Sequence, residues 1–241
     1  MSCAVQCPRE PSCALPSPGG RETADSPRAS RITTPANDAA AFDVVVIGAS
    51  AGGLTALSAV LGPLSVPFPA AIALVLHLSP DRPSVLTEVL GRYTRLPVRW
   101  AEDGVPMKPG TVHVAPPNRH VVFGSGGALA LLRSPPVHFS RPSVDLLFES
   151  AARTFGRRAL GVILTGNGHD GSEGVRLIHE LGGVVIAQDE ASSEYFSMPR
   201  EAIESGGVSF VLPLQSIAAA VERLVTLGAD AGVDGRASGR G

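Results

Sequence analysis

The sequence has no excess of basic residues. Its 20 lysines and arginines stand against 22 aspartates and glutamates, and the formal net charge at pH 7 is -2. Proteins that bind nucleic acid normally carry a basic face or stripe. Aromatic side chains, on which bases could stack, make up only 5% of the chain. We therefore expect no nucleic-acid partner.

Cysteine is missing from the part of the sequence that has a folded pattern. All three cysteines, Cys3, Cys7 and Cys13, lie within the first 13 residues. The core is therefore expected to form without disulfides, as in a reducing, cytoplasmic setting. No histidine lies near these cysteines, and their spacing is not that of a structural zinc site. We expect no metal there.

Long apolar runs are also absent, so the sequence predicts neither a signal peptide nor a membrane-spanning helix. We expect a soluble, cytoplasmic protein without membrane insertion. Residues 1–41 are rich in Pro, Ser, Ala and Arg and have no apolar period, which predicts a disordered leader. Residues 228–241 predict a disordered tail for the same reason. Between them, residues 42–227 are long enough for one α/β domain.

Within that domain, short β-branched apolar runs alternate with segments of helical period. The predicted strands are FDVVVIG, AAIALVLHL, ALGVILTG, GVVIAQD and VSFVLP. The alternation predicts a doubly wound α/β fold, with a mainly parallel sheet and helices on both faces. Residues 104–132 differ, because short alternating segments separated by Gly and Pro predict a small antiparallel β excursion.

Two of the predicted helices carry recognisable start signals. DRPSVLTEVL has Asp81 as a candidate cap and Pro83 in its first turn. RPSVDLLFESAARTF has Ser140 as a candidate cap and Pro142 near its first turn.

The first predicted strand ends in VIGASAGG, with Ser50 between the glycines. This is not a dinucleotide fingerprint, since Ser50 replaces the second glycine and the next strand ends in His77 rather than an acidic residue. It does satisfy G-x-S-x-G at a strand-to-helix turn, which can expose a nucleophilic serine. The alternative is a glycine-rich turn whose serine caps the following helix.

A nucleophilic serine needs a base and an acid that orients the base. His77 ends the second strand, so it emerges at the same sheet edge as Ser50 and is the favoured base. His138 and His169, in or near loops, remain alternatives. Asp170 follows the strand ALGVILTG in a glycine-rich loop and is the candidate acid. The alternative for Asp170 is a cap of the next helix.

Six segments in consistent order resemble the catalytic domain of the bacterial chemotaxis protein-glutamate methylesterases (CheB type), over about residues 43–225. They are VVVIGASAGGLTAL, VLHLSPDRPS, GTVHVAPPNRHV, FSRPSVDLLFES, VILTGNGHDGSEG and AQDEASSEYFSMPREAI. The resemblance implies Ser50 as nucleophile, His77 as base and Asp170 as the orienting acid. It implies no metal or organic cofactor.

The resemblance also implies a substrate and partners. The expected substrate is the methylated cytoplasmic region of a chemoreceptor-like protein, with glutamine deamidation as a second activity. A separate response regulator or glutamate methyltransferase are expected partners. Arg141 and Arg200 are candidates for contact with an acidic receptor helix; the alternative is that both are ordinary surface charges.

Two departures from the family pattern stand out. Only about forty residues precede the domain where the family carries a receiver domain, so we expect no control by phosphorylation in cis. Asn167 replaces a methionine that lies by the active site in the family. These departures motivate the competing hypothesis, a catalytically inactive binding module in a signalling complex.

Overall fold

The computed structural model describes residues 42–77 and 84–227. The predicted leader, the predicted tail and the predicted helix cap at Asp81 and Pro83 lie outside these residues.

Seven parallel strands form the main sheet. They are β1 (Val44–Ala49), β2 (Ala71–Leu76), β3 (Val98–Trp100), β4 (Val112–Val114), β7 (Ala159–Ile163), β8 (Val184–Gln188) and β9 (Phe210–Leu212). Their order across the sheet is β3-β4-β2-β1-β7-β8-β9. A separate antiparallel pair consists of β5 (His120–Phe123) and β6 (Leu129–Leu132). The predicted α/β class and the predicted antiparallel excursion are both confirmed.

The part of the chain that is described has six α-helices, five of which lie between strands and the last of which follows β9. They are α1 (Gly53–Leu61), α2 (Leu86–Gly91), α3 (Val144–Phe155), α4 (Ser172–Glu180), α5 (Ser197–Glu204) and α6 (Leu214–Leu227). None of the described helices is long and apolar enough to cross a membrane.

The central strands are covered on both faces, which explains why they read as unbroken apolar runs. Every residue of β1 and β2 is buried. Val45 and Ile47 belong to the apolar cluster that includes α1 and α6, whereas Val44 and Val46 belong to the cluster that includes α3 and α4. Successive side chains of one strand therefore enter opposite layers, as a doubly wound sheet requires.

The extent of the antiparallel excursion was predicted wrongly. Strand β4, within the stretch assigned to the excursion, pairs in parallel with β2 and β3, and β3 was not predicted at all. All three residues of β4 are buried. Its polar His113 gave the stretch an alternating pattern that imitates a strand with one solvated face.

The predicted cap of α3 is also wrong. Ser140 instead closes a tight turn with Val137, through backbone hydrogen bonds of 2.8 and 3.1 Å. The residue at the N-cap position is Ser143, whose hydroxyl accepts a hydrogen bond from the Leu146 N–H at 3.4 Å. Pro142 lies just before the helix.

The sheet order determines where the candidate site lies. Strand β1 pairs with β2 on one side and β7 on the other, with Ala49 opposite Leu76. Ser50 and His77 each follow directly after that matched pair. The loop after β7 emerges at the same edge, because the carboxyl ends of parallel strands point the same way.

Candidate active site

The turn after β1 holds Ser50 out of the following helix. The residue at the N-cap of α1 is Gly52, at φ +74°, and α1 has no side-chain cap. The alternative that Ser50 caps this helix is therefore wrong. The Ser50 N–H donates to the Thr165 carbonyl at 3.0 Å, and the Ser50 carbonyl accepts from the Gly53 N–H at 2.9 Å. The backbone of Ser50 is thus anchored on both sides while its hydroxyl is left available.

The loop after β7 packs directly against this serine. A Cβ added at Gly166 would lie 2.8 Å from Ser50 Cβ and 3.1 Å from Ser50 N. A Cβ atom essentially never lies within 3.0 Å of another side-chain carbon, so a larger residue at this position would displace Ser50 or the loop.

Thr165 and Gln188 link the loops that follow β1, β7 and β8 by hydrogen bonds. The sequence analysis did not single out either residue. The Thr165 N–H donates to Gln188 Oε1 at 2.8 Å, and its hydroxyl oxygen lies 3.1 Å from the Ala51 carbonyl. The same hydroxyl accepts from the Tyr195 N–H at 2.9 Å. Gln188 is fully buried at the end of β8. A buried amide closing an apolar strand was the sequence signal for it.

His77 lies between Ser50 and Asp170. Its Nδ1 is 3.2 Å from Ser50 Oγ and its Nε2 is 2.9 Å from Asp170 Oδ2. A carboxylate can only accept, so Nε2 carries the proton and the lone pair of Nδ1 faces the serine hydroxyl. The structure thus brings together the three residues that the sequence selected. The imidazole faces the serine through Nδ1, the reverse of the arrangement in the serine proteases, where Nε2 does so.

Asp170 is buried and accepts four hydrogen bonds. Besides His77, its donors are Ser143 Oγ at 2.8 Å, Val144 N at 2.8 Å and Asp145 N at 3.0 Å. Burial alone would raise the pKa of Asp170, but the hydrogen bonds from His77, Asp145 and Val144 hold this pKa below its usual value. The Asp170 carboxylate therefore stays charged to a lower pH than an ordinary aspartate does.

The alternative that Asp170 caps the helix that follows it in the chain is wrong, because Asp170 caps a different helix. That helix, α4, has Gly171 at its N-cap and no side-chain cap. Asp170 instead accepts from the first turn of α3, which lies about 25 residues earlier in the chain. The positive end of α3 stabilises the carboxylate. A cap from so distant a residue leaves no local sequence signal.

A second buried carboxylate, Asp145, lies beside Asp170. It is 2% exposed, and its Oδ1 accepts from the Gly174 N–H at 2.9 Å. Burial raises the pKa of Asp145 to about 6; the Gly174 N–H opposes this shift and the Asp170 charge adds to it. Asp145 therefore keeps its proton to a higher pH than an ordinary aspartate does.

Two backbone N–H groups next to Ser50 are free to bind an oxyanion. Ala51 follows Ser50 and lies two residues before α1 begins, and Asn167 follows Gly166. Neither N–H donates to a protein acceptor within the part of the chain that the structure describes. The Asn167 side chain is exposed, so it presents a polar amide at the rim of the site.

A cavity of about 220 Å³ opens beside the imidazole. Its lining is His77, Asn118, Pro136, Phe139, Ser140, Arg141 and Pro142. Arg141 donates from Nε to Asn118 Oδ1 at 2.8 Å and from Nη1 to the Ser134 carbonyl at 2.9 Å. These bonds fix the guanidinium at the mouth of the site.

An adjoining groove of about 660 Å³ shares Asn118 and Arg141 with this cavity, and Trp100, Arg119 and Arg133 also line it. Arg200, the other arginine suggested by the sequence, lines neither space. It lies within 3.8 and 4.0 Å of Glu201 and Glu204 on its own helix, α5.

The two alternative histidines do not contact Ser50. His138 Nδ1 and His169 Nε2 lie 2.9 Å apart, so each is the other's partner. The neighbouring Asp170 points the other way, into the protein, as expected for adjacent residues in a loop.

Residues 45–221 match the family model described as CheB methylesterase. The chain belongs to the CheB methylesterase family. The catalytic domain of the Thermotoga maritima CheB methylesterase has a similar structure, with a TM-score of 0.74 and 36% sequence identity. The match covers 76% of this chain and 99% of that one, so the fold described above is the fold of that domain.

Curated relatives agree with the family. The protein-glutamate methylesterase/protein-glutamine glutaminase 2 of Anaeromyxobacter dehalogenans is 50% identical over 186 residues, which are 77% of this chain and 54% of the relative. The protein-glutamate methylesterase FrzG of Myxococcus xanthus is 43% identical over 204 residues, 85% of this chain and 60% of FrzG. The chain thus spans little more than half the length of these relatives.

Proposed function

We propose that this CheB-family domain is a serine hydrolase that removes methyl groups from glutamate methyl esters on proteins. One observation carries the proposal: a continuous contact from Ser50 Oγ through His77 to Asp170, with separations of 3.2 and 2.9 Å. The three side chains come from loops after three adjacent parallel strands. The methylesterase activity for which both relatives are named supports the choice of ester.

In the first half of the reaction, Ser50 Oγ attacks the ester carbonyl while Nδ1 of His77 takes the hydroxyl proton. Asp170 accepts from Nε2–H throughout, which holds the imidazole in the required tautomer and stabilises the imidazolium. The N–H groups of Ala51 and Asn167 are the proposed donors to the oxyanion that forms on the carbonyl oxygen. His77 then returns the proton to the leaving methoxide, which departs as methanol.

The second half regenerates the enzyme. Water attacks the acyl-serine carbonyl and gives a proton to His77 Nδ1. The tetrahedral intermediate collapses, the glutamate carboxyl group is released, and the proton returns to Ser50 Oγ. Ester and amide carbonyls pass through the same kind of tetrahedral intermediate, so glutamine side chains, which release ammonia, are the proposed second substrates. The name of the Anaeromyxobacter relative includes this glutaminase activity.

The proposed substrate is a helical cytoplasmic segment of a methylated chemoreceptor-like protein. Segments that carry several glutamates are acidic, and the mouth of the site and the adjoining groove present Arg119, Arg133 and Arg141. Charge of the opposite sign would guide such a helix into the groove. With this substrate the enzyme would act in the cytoplasm, where a response regulator and a glutamate methyltransferase are the proposed partners.

Methanol release from a methylated receptor fragment tests the proposal. Wild type should release methanol, and Ser50→Ala should lose at least about three orders of magnitude in turnover. Ser58→Ala is a matched control, because Ser58 lies on α1 and its hydroxyl donates only to the Leu54 carbonyl in the described residues. Equal release by wild type and Ser50→Ala would remove Ser50 from the mechanism. No release by either protein would favour the non-catalytic binding module.

A further inference from the structure

Two exposed histidines meet on the outer side of the loop that carries Asp170. His138 Nδ1 and His169 Nε2 are 2.9 Å apart, and the ring centroids are 4.3 Å apart with the planes at 73°. If the rings pointed at each other along the line between the two nitrogens, the ring centroids would lie farther apart than the observed 4.3 Å. The rings therefore meet at an angle, with the two nitrogens side by side.

A buried carboxylate lies behind His138. Asp145 Oδ2 is 3.5 Å from His138 Nε2, and this oxygen has no hydrogen-bond partner within the described residues although Asp145 is only 2% exposed. Oδ1 of the same carboxylate is occupied by the Gly174 N–H. One ring nitrogen of His138, Nδ1, thus contacts a second histidine. The other, Nε2, approaches a buried carboxylate oxygen that accepts no other hydrogen bond in the described residues.

The backbone at His138 is held in an unusual conformation. His138 and Phe139 have φ values of +47° and +62°, a region that non-glycine residues rarely adopt. The backbone bonds between Val137 and Ser140 close this turn. Such conformations persist only where surrounding contacts enforce them, and they are common at binding sites.

We propose that His138 Nδ1 and His169 Nε2 together bind a first-row transition-metal ion such as Zn²⁺ or Ni²⁺, with Asp145 as the acceptor of the proton on His138 Nε2. Imidazole nitrogens are favoured ligands of these ions. A histidine that binds a metal typically donates its other N–H to a carboxylate, which fixes the ring and makes the ligand nitrogen more basic. Two nitrogens 2.9 Å apart subtend about 90° at an ion about 2.0–2.1 Å from each, which is the angle between adjacent ligands of a five- or six-coordinate ion and not of a tetrahedral one.

Water would complete the coordination of the ion. No group of three His, Cys, Asp or Glu side chains in the described part of the chain is arranged to hold a metal ion, so the protein supplies two ligands. Both histidines are accessible; the His138 side chain is 38% exposed. The bound ion would tie the turn at residues 137–140, which borders the cavity beside His77, to the loop that carries Asp170.

Calorimetric titration of the full chain with ZnCl₂ tests the site, at about pH 7.5, where ordinary imidazoles are neutral. The thiols of Cys3, Cys7 and Cys13 are alkylated in every protein so that they do not compete for zinc. Wild type is compared with His138→Gln, His169→Gln and Asp145→Asn. His179→Gln is the matched control, since His179 is an exposed histidine on α4. Circular dichroism melting checks that each variant is folded.

The expected result is one binding event in wild type and in His179→Gln that is lost in His169→Gln and His138→Gln. Asp145→Asn should bind the ion about 10-fold to 100-fold more weakly. If the turn at His138 does not tolerate substitution, His169→Gln alone still decides, because His169 lies in the other loop. Unchanged stoichiometry and Kd in His169→Gln would overturn the site, and would leave the histidine contact a structural one only. Equal loss in His179→Gln would also overturn it.

Discussion

Replacing Asp170 with asparagine should impair both catalysis and folding, because one carboxylate serves both. Its Oδ1 accepts from Ser143 Oγ and the Asp145 N–H, and its Oδ2 accepts from the Val144 N–H and His77. An amide has a single acceptor oxygen. Whichever way it is oriented, one backbone N–H at the start of α3 loses its acceptor, at a cost of about 1–3 kcal/mol.

The catalytic effect depends on the same choice of orientation. With the amide oxygen toward Ser143 and the amide NH₂ toward His77, the proton moves to Nδ1 and the imidazole no longer accepts from Ser50. In the serine-protease triad the equivalent change lowers kcat by about 10⁴. With the oxygen toward His77, the tautomer is kept but the negative charge that stabilises the imidazolium is lost. We expect kcat to fall by between about 10² and 10⁴.

Methanol release and urea unfolding measure the two effects on the same preparation. Ser50→Ala separates them, since it should abolish turnover while leaving the unfolding midpoint nearly unchanged. Asp103→Asn is a matched control: Asp103 accepts one hydrogen bond, from the Leu131 N–H at 2.8 Å, which an amide oxygen also accepts. If Asp170→Asn keeps kcat within about tenfold of wild type, or keeps full stability, the shared role argued for Asp170 is wrong.

Three further predictions follow from individual contacts. Gly166→Ala should lower kcat by about 10² or more, because the added Cβ would displace Ser50; turnover comparable to wild type would show that the loop yields freely. In the neutral imidazole of His77, ¹⁵N NMR should place the proton on Nε2, and a proton on Nδ1 would contradict the mechanism. The raised pKa of Asp145, about 6, means that the folded state holds the proton more tightly than the unfolded state. Wild type should therefore lose up to about 3 kcal/mol of stability relative to Asp145→Asn between pH 4 and 7. Asp170 is present in wild type and in Asp145→Asn, so its contribution to the pH dependence largely cancels. If the difference in unfolding free energy between the two proteins does not change with pH, the raised pKa of Asp145 is refuted.

The fold could be predicted largely because the central strands obey a simple rule. A strand covered on both faces is apolar throughout, and β1, β2, β7 and β8 satisfy this at almost every position. The edge strand β3 has only three residues, one of them the exposed Arg99. Such a segment has no periodic signal, so its pairing is determined by the sheet rather than by its own residues.

The candidate site was predictable to the extent that it depends on strand ends. Ser50 and His77 follow adjacent strands, and a parallel sheet brings such residues to one edge. Their supporting contacts were not predictable, because the donors to Asp170 belong to a distant helix. The contact of His138 with His169 depends in the same way on an unusual turn at residues 138 and 139, and no local pattern in the sequence encodes it.

Covalent trapping of the nucleophile tests the central claim most directly. A serine-reactive phosphonate ester is incubated with the folded full chain, and the modified peptide is identified by mass spectrometry. The account predicts a single adduct on the peptide that contains Ser50, formed much more slowly in His77→Ala and absent in Ser50→Ala. A wild-type protein that forms no adduct at Ser50, or forms it equally fast without the imidazole, would contradict the account.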